Sequence, residues 1–246
     1  MQLSRRPVGH GIVESSVESG SLQRHPLKRT RTTLSYIMIA LYGTDDERAA
    51  LRRDVNRQHR SVRSSETSPV DYDAFDPQLQ LWVAACMYRG LEDAVHFLHG
   101  SPSEETSDAL YAHASRFATT LQVPASAWPK DRAAFERYWR ECVADVAMDE
   151  TTRAYLRGIA SLDFLPRVLR VALAPAHRLI TVGFLPVEFR HELGLAWNPR
   201  RARLFQYFVT ASASLDRVLP ARLREFPWNL VWWDARRRIR RGRSLV

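Results

Sequence analysis

The chain has 246 residues, of which 45% are hydrophobic and 26% charged, so it can form a folded domain with a sizeable core and is not expected to be disordered. Its formal net charge of +9 is carried almost entirely by arginine, because Lys28 and Lys130 are the only lysines. The arginines are spread along the chain and no recognition motif accompanies them, which argues against nucleic-acid binding.

The sequence contains no signal for secretion or membrane insertion. Residues 1–13 include Arg5 and Arg6 but no apolar core, and the longest apolar stretches are too short to cross a bilayer. Cys86 and Cys142 lack the spacing of a metal site and suggest no disulfide framework. We therefore expect a soluble, cytoplasmic protein.

Apolar residues recur at intervals of three and four, which predicts an all-α fold: one globular multi-helix domain spanning residues 1–246. The first clear helix is expected over residues 28–42, ending in a left-handed cap at Gly43. Residues 44–47 read as a capping box that starts a second helix, running to about Val62.

Asp76 and Pro77 predict the start of a central helix, because residues 81–88 are apolar on every side. Later helices are indicated by caps and prolines: a capping box at 101–104 with a helix to about Leu121, a helix over 130–147, segments broken at Pro166, Pro175 and Pro186, a helix from Asn198 to about Leu219, and a basic amphipathic helix after Pro227.

One histidine lies on the apolar face of an arginine-rich helix. Leu51, Val55, His59 and Val62 are spaced by four, four and three residues, so His59 is expected to point inward. It is either a core histidine bonded to a carbonyl or an acidic group, or a metal ligand. One histidine cannot hold zinc alone, but it can anchor haem iron, because the porphyrin supplies four further ligands.

The preceding helix offers a plausible face opposite this histidine. Arg29, Thr33, Ile37 and Leu41 are four residues apart and form a stripe that is polar at one end and apolar beyond. A cation and a hydroxyl beside an apolar groove suit bound dioxygen or a haem propionate. The alternative is an arginine that caps a neighbouring helix or lies on the surface.

Several motifs in order along the chain resemble the MpaB-like and rubber-oxygenase (latex clearing protein) catalytic domain. The resemblance covers nearly the whole chain and rests on these segments: Gln2 to Ser16, Arg29-x-x-x-Thr33 with Tyr36, Tyr42-Gly43, Val55-Asn-Arg-x-His59, Tyr72-x-Ala-x-Asp76-Pro, Leu81-Trp-Val-Ala-Ala, Phe97-x-x-Gly100, Leu121-Gln-Val-Pro before Trp128-Pro129, and Trp197-x-Pro199.

The resemblance implies a haem b oxygenase that uses dioxygen on a hydrophobic, terpenoid-like substrate. His59 matches the proximal iron ligand, and Arg29 and Thr33 match the polar pair beside the haem. Glu14 lies where the rubber-cleaving enzymes carry a catalytic carboxylate; as a general base it would need a pKa raised by burial. His96 is the second choice for the iron ligand.

Two departures from the family pattern qualify what the resemblance implies. Thr32 stands where the rubber-cleaving enzymes carry lysine, so cleavage of polyisoprene is not implied. The chain also starts inside a segment that other members precede with further helices, and Ser15 stands where those members often carry histidine. A truncated or mis-assigned start would remove one wall of the pocket and weaken haem binding.

The alternative function is a non-catalytic helical protein of the same fold that contacts membrane surfaces. Its basis is the C-terminal helix, in which Trp228, Trp232 and Trp233 precede the basic run 236–241. The same composition also fits a helix that docks its tryptophans on the core and leaves its arginines in solvent.

Overall fold

The computed structural model describes residues 1–15, 17 and 22–246; Ser16, the last residue of the N-terminal motif, lies outside them. The described part of the chain is helical, with no β-strand and one isolated antiparallel bridge between Arg63 and Asp73. Its α-helices are α1 (Arg6–Val13), α2 (Pro26–Tyr42), α3 (Asp45–His59), α4 (Pro77–His99), α5 (Glu104–Ala114), α6 (Arg116–Thr119), α7 (Arg132–Ala144), α8 (Glu150–Ala160), α9 (Arg167–Gly183), α10 (Val187–Glu192), α11 (Pro199–Val218), α12 (Ala221–Arg224) and α13 (Trp228–Arg240).

Helix α4 is the central helix, as its all-apolar segment predicts. Trp82 and Tyr88 are fully buried, and α6 and α11 pack against it. The indole of Trp82 stacks on Trp139, with ring centroids 5.4 Å apart, and Tyr88 meets Phe135 edge to face at 4.8 Å. Aromatic pairs of this kind contribute about 1 kcal/mol each beyond the burial of their surface. They stabilise the packing of α4 against α7 in one hydrophobic core.

The predicted helix starts are confirmed at three caps. Thr44 accepts the amide hydrogen of Glu47 while the Glu47 carboxylate accepts that of Thr44, so both halves of the capping box are present. Asp76 accepts from the Gln78 amide, and Asn198 from the Arg201 amide. Each cap satisfies an amide that the first helical turn leaves without a partner.

Other predictions about helix ends are wrong in detail. Helix α2 does end before Gly43, but that residue is extended (φ −68°, ψ 157°) rather than left-handed. Position 43 requires glycine because of a close contact: a Cβ there would lie 2.5 Å from the Ile39 carbonyl oxygen. Helix α3 ends at His59 instead of continuing to Val62.

The capping box predicted at residues 101–104 is also displaced. The N-cap of α5 is Ser103, which accepts from the Thr106 amide, and the helix predicted to reach Leu121 breaks into α5 and α6. Pro175 does not break α9, which runs through it. Pro175 is exposed, and so is Val171, four residues earlier, so the Val171 carbonyl that loses its helical partner can be hydrated.

The C-terminal helix α13 is docked on the molecule along one side. Ala235 is fully buried, and Trp232 packs with α2 and α3 in a second core cluster beside Leu51. Leu230 and Trp233 remain more than half exposed on the other side. Among the residues that the structure describes, no helix combines the length and apolar character needed to cross a bilayer.

Candidate functional site

A cavity of about 850 Å³ lies among α1, α2, α3, α4 and α8. This volume is in the upper part of the range of small-molecule sites. Apolar walls come from α1 and α4, including Val8, Val83, Ala84 and Met87. Polar side chains line it as well, including Arg29 on α2, His59 on α3, Gln80 on α4 and Asp163 after α8, so a ligand would meet both apolar surface and polar groups.

His59 lies on the cavity wall as the last residue of α3. Its side chain is half-buried, its ring meets Phe75 edge to face at 6.1 Å, and its Nδ1 atom is buried without a hydrogen-bond partner among the described residues. Burial, and then the nearby positive charge of Arg29, lower the pKa of His59. The imidazole is therefore neutral near pH 7 and keeps a nitrogen lone pair.

Arg29 also lines the cavity, on α2. Burial lowers the pKa of its guanidinium, and no carboxylate in the described part of the chain forms an ion pair with it. A half-buried guanidinium without a counter-ion is unfavourable by itself, because burial removes hydration that nothing replaces. Arg29 is therefore placed to receive an anionic group from a ligand in the cavity.

Thr33 lines the cavity next to Arg29, as does Thr32. The Thr33 hydroxyl donates its hydrogen to the Arg29 carbonyl, with the two oxygens 3.1 Å apart. In this rotamer Thr33 presents only oxygen lone pairs to a ligand, and it must turn its hydroxyl to donate. The structure thus brings His59, Arg29 and Thr33 to one cavity, as the sequence predicts.

Glu14 is not among the residues of the cavity wall. Its carboxylate accepts hydrogen bonds from Ser68 Oγ (2.6 Å), Tyr72 Oη (3.0 Å) and His10 Nδ1 (2.6 Å). The hydrogen bond from Ser68 is the largest influence and, with those from His10 and Tyr72, lowers the pKa of Glu14. The pKa of Glu14 is thus not raised as a role as general base would require, because hydrogen-bond donors surround the carboxylate instead of an apolar pocket.

Tyr72 connects this carboxylate to the cavity. Its side chain is almost fully buried, belongs to the cavity lining and donates to Glu14. Gly11 allows the close approach of α1 here, because a Cβ at Gly11 would lie 3.4 Å from the Tyr72 ring. The sequence motif contains Tyr72 but does not predict its contact with Glu14. The two residues are 58 positions apart, so no local pattern indicates that they meet.

His10 is a second polar group that the sequence did not single out, and it contacts Glu14. His10 is 3% exposed and its ring bridges Glu14 and Asp149. Burial opposes protonation of His10, but the hydrogen bonds to Asp149 and Glu14 outweigh it and raise its pKa. The pKa of Asp149 falls to about 2, because bonds from the Thr152 amide and His10 outweigh burial. The spacing of His10 and Glu14 on α1 was the only local signal of this network.

His96, the second candidate for the iron ligand, lies away from the cavity. Its side chain is exposed, its Nδ1 atom is 2.9 Å from the Glu92 carbonyl oxygen, and it does not line the cavity. In the part of the chain that the structure describes, no three His, Cys, Asp or Glu side chains are grouped as a protein-held metal ion requires. A porphyrin iron needs one axial base, apolar walls and a cation for its carboxylates, and His59, the α1 and α4 walls and Arg29 are of these types.

The fold and cavity define an all-helical protein whose large, mainly apolar ligand site is lined by a neutral histidine, His59, and by Arg29, which forms no ion pair with the described residues. The chain belongs to the family described as ER-bound oxygenase mpaB/B′ and rubber oxygenase, catalytic domain, whose model matches residues 1–214. This confirms the family resemblance seen in the sequence. The family is one of oxygenase catalytic domains, and helices α12 and α13 lie beyond the matched residues.

Two relatives are similar over the whole chain. They are uncharacterized proteins of Mycobacterium bovis (strain ATCC BAA-935 / AF2122/97) and Mycobacterium tuberculosis (strain ATCC 25618 / H37Rv), each 45% identical over 246 residues, which is all of this chain and 96% of the relative. No solved structure matches the chain significantly.

Proposed function

We propose that the protein is a haem b-dependent oxygenase acting on an apolar, terpenoid-like substrate, with His59 as the axial ligand of the iron. The observation that carries this proposal is the state of His59: a neutral imidazole on the cavity wall, whose buried Nδ1 atom has no partner among the described residues. A core histidine would ordinarily satisfy both ring nitrogens, so the unfilled position favours a ligand. Family membership supplies the expectation of oxygenase chemistry.

Bound haem would supply an iron site that binds and activates dioxygen. The protein contributes the electrostatics around it. The guanidinium of Arg29 favours an anionic neighbour, either a carboxylate of the cofactor or an oxygen atom that gains negative charge during the reaction. Thr33 adds a hydroxyl that can donate to the same oxygen once it releases the Arg29 carbonyl.

The apolar walls determine the class of substrate. Val83, Met87 and Phe117 line the cavity, and they offer contact area but no hydrogen bond to a polar group. A substrate that binds mainly by losing apolar surface to these walls is a hydrocarbon or terpenoid. The same walls exclude water, which strengthens the charge of Arg29 at the reacting atoms.

Glu14 can act on a bound substrate only through Tyr72, because only Tyr72 of this pair reaches the cavity wall. The Glu14 carboxylate orients the Tyr72 hydroxyl by accepting its hydrogen bond, while His10 and Ser68 hold the carboxylate in place. In this proposal Tyr72 meets the substrate and Glu14 acts through it.

Titration of the purified protein with haem tests the proposal. We expect the wild type to bind one haem with a Soret band, and His59→Ala to lose the band or to bind at least about tenfold more weakly, because the axial bond is removed. His96→Ala is the matched control: an exposed histidine outside the cavity, expected to leave haem binding unchanged.

Circular dichroism of both variants shows whether they fold. A folded His59→Ala protein that binds haem as the wild type does, with the same spectrum, would refute the ligand assignment. A wild type that binds no haem would refute the haem-dependent function as a whole.

A second candidate is a non-catalytic protein that contacts membranes through α13. The exposed Leu230 and Trp233, with the Arg237 guanidinium 5.0 Å from the Trp233 ring, favour it. The side of α13 that carries Trp232 packs against the core, which favours a structural role for the same helix. A protein without haem or oxygen uptake, which loses vesicle binding on Trp233→Asp, would support this second candidate.

A further inference from the structure

Helix α9 leaves a broad apolar side uncovered over about its first two turns. Val168 and Val171 are 81% and 68% exposed, and Leu169 and Leu173 are 50% exposed. Only the C-terminal part of the helix reaches the core, where Val182 is buried. Aliphatic side chains concentrated on one surface helix are costly in water and mark an interaction surface.

The other side of α9 is cationic. Arg167, Arg170 and Arg178 lie together on it at helical spacing, and no acidic residue occurs between Asp163 and Glu188. Arg170 is close to Asp163, at 3.4 Å, whereas Arg167 and Arg178 form no ion pair with any residue that the structure describes. A surface helix with aliphatic residues on one side and arginines on the other is the pattern of a helix lying in a lipid interface.

The charge distribution distinguishes two possible occupants of this surface. A symmetric contact with a second copy would bring the arginines of two α9 helices together without acidic partners, which is unfavourable. An anionic lipid surface would instead meet the arginines with phosphate groups and the valines and leucines with acyl chains. We therefore propose that α9 docks the protein on bilayers that contain anionic lipids, with Val168, Leu169, Val171 and Leu173 in the apolar part of the interface.

The docking helix begins beside the cavity. Gly158 and Asp163 both belong to the cavity lining, and Asp163 pairs with Arg170 on α9. Docking through α9 would place this side of the cavity against the membrane, so that an apolar substrate dissolved in the bilayer reaches it without crossing water. This consequence rests on the proposed oxygenase function, whereas the docking itself does not.

Co-sedimentation of the full chain with vesicles tests the docking. We expect binding to vesicles of phosphatidylcholine and phosphatidylglycerol in equal parts, weak binding to phosphatidylcholine alone, and loss of binding at high salt, because exposed charges are then screened. The double variant Val168→Asp with Val171→Asp is expected to weaken binding at least about tenfold.

The control adds the same two negative charges to a different helix. Leu230→Asp with Trp233→Asp replaces two exposed apolar residues of α13 and is expected to leave vesicle binding within about twofold of the wild type. Equal losses in the two double variants would mean that added negative charge alone reduces binding, and would overturn the proposal. Loss in the α13 variant only, or no binding by the wild type, would also overturn it.

A fluorescent probe locates the contact. Cys86 and Cys142 are buried, so an environment-sensitive dye can be attached selectively at Leu173→Cys, with Glu105→Cys on exposed α5 as the control. Anionic vesicles should shift the emission of the dye at position 173 to shorter wavelength and leave that at 105 unchanged. No difference between the two positions would contradict docking through α9.

Two further measurements separate the alternatives. Light scattering that shows a dimer which Val168→Asp with Val171→Asp dissociates, without vesicle binding, would replace the lipid surface by a second copy. Haem titration of the same variant is expected to give the wild-type result, so failure of the docking proposal is distinguishable from failure of the proposed function.

Discussion

At the scale of single residues, two side chains of the cavity wall, His59 and Arg29, carry polar groups that the described residues leave unsatisfied. The His59 Nδ1 atom is buried without a hydrogen-bond partner in the described part of the chain, and the half-buried Arg29 guanidinium forms no ion pair there. An unsatisfied buried polar group costs about 1–3 kcal/mol, and more if it is charged. A ligand with an electron-pair acceptor and an anionic group would relieve both costs at once.

Tyr72 gives a prediction at this scale that depends on the proposed function. Tyr72→Phe removes the hydroxyl between Glu14 and the cavity but keeps the ring that contacts Gly11. We expect normal haem content and a fall of about tenfold to a hundredfold in oxygen uptake with a terpenoid, because the hydroxyl that Glu14 orients at the cavity wall is lost.

Tyr111→Phe is the matched control for this measurement. The Tyr111 side chain is equally buried, its hydroxyl donates to the Pro129 carbonyl, and it is outside the cavity lining. An unchanged rate in Tyr72→Phe, or the same fall in both variants, would remove Tyr72 from the reaction.

At the scale of elements, glycines have opposite roles in α2 and α4. A Cβ on Gly43 would lie 2.5 Å from the Ile39 carbonyl oxygen, at the tight junction between α2 and α3. A Cβ on Gly90, inside α4, would contact nothing within 4 Å. The first glycine is required by packing, and the second only weakens its helix.

Alanine at these two positions should therefore shift stability in opposite directions. Gly43→Ala is expected to lower the free energy of unfolding by roughly 1–3 kcal/mol through backbone displacement, and Gly90→Ala to raise it by about 0.5–1 kcal/mol. Chemical denaturation followed by circular dichroism measures both. Shifts of the same sign would contradict this account of the α2–α3 junction.

At the scale of the whole molecule, an ionic network joins α1 to distant parts of the chain. His10 bonds to Glu14 and to Asp149, the N-cap of α8, and Glu14 bonds to Ser68 and Tyr72. Arg6 adds a charge 3.7 Å from Asp149. These contacts fix α1 against α8 and the segment after α3, and they hold one wall of the cavity in place.

The sign of each pKa shift sets the pH range in which this network stabilises the fold. The raised pKa of His10 gives stability that is complete below the ordinary value of 6.5 and is lost as pH rises through the folded value. The lowered pKa values of Glu14 and Asp149 give stability present above their ordinary values of 4.5 and 3.8, and lost as pH falls, through about 2 for Asp149.

We therefore expect the network to contribute most between pH 4.5 and 6.5. His10→Gln should lower stability there by roughly 2–3 kcal/mol, because two carboxylates lose their shared cation, and by less at higher pH. The difference from wild type is the informative quantity, since His59 and His113 have lowered pKa values and act in the opposite direction. Exposed His99→Gln is the control, and a pH-independent difference would contradict the network.

The sequence by itself determined the helices, most of their starts and the family. These features depend on local rules: a capping side chain bonds an amide two or three residues away, and an apolar stripe at helical spacing must face the core. The same rules predicted that His59, Arg29 and Thr33 share a site, since each lies on the inward stripe of its helix. Local rules also misplaced the cap at Ser101 and broke α9 at Pro175, where the surroundings decide.

Only the tertiary structure decided what surrounds each of these side chains. The sequence suggests that Glu14 is a buried base. In the folded protein, Ser68 and Tyr72, which lie 54 and 58 residues away in the sequence, donate hydrogen bonds to it and lower its pKa. His10 meets Asp149 across 139 residues. Whether the apolar side of α9 is covered also depends on which helices pack beside it. Partners, desolvation and exposure arise from contacts between distant segments, and no periodicity along one segment encodes them.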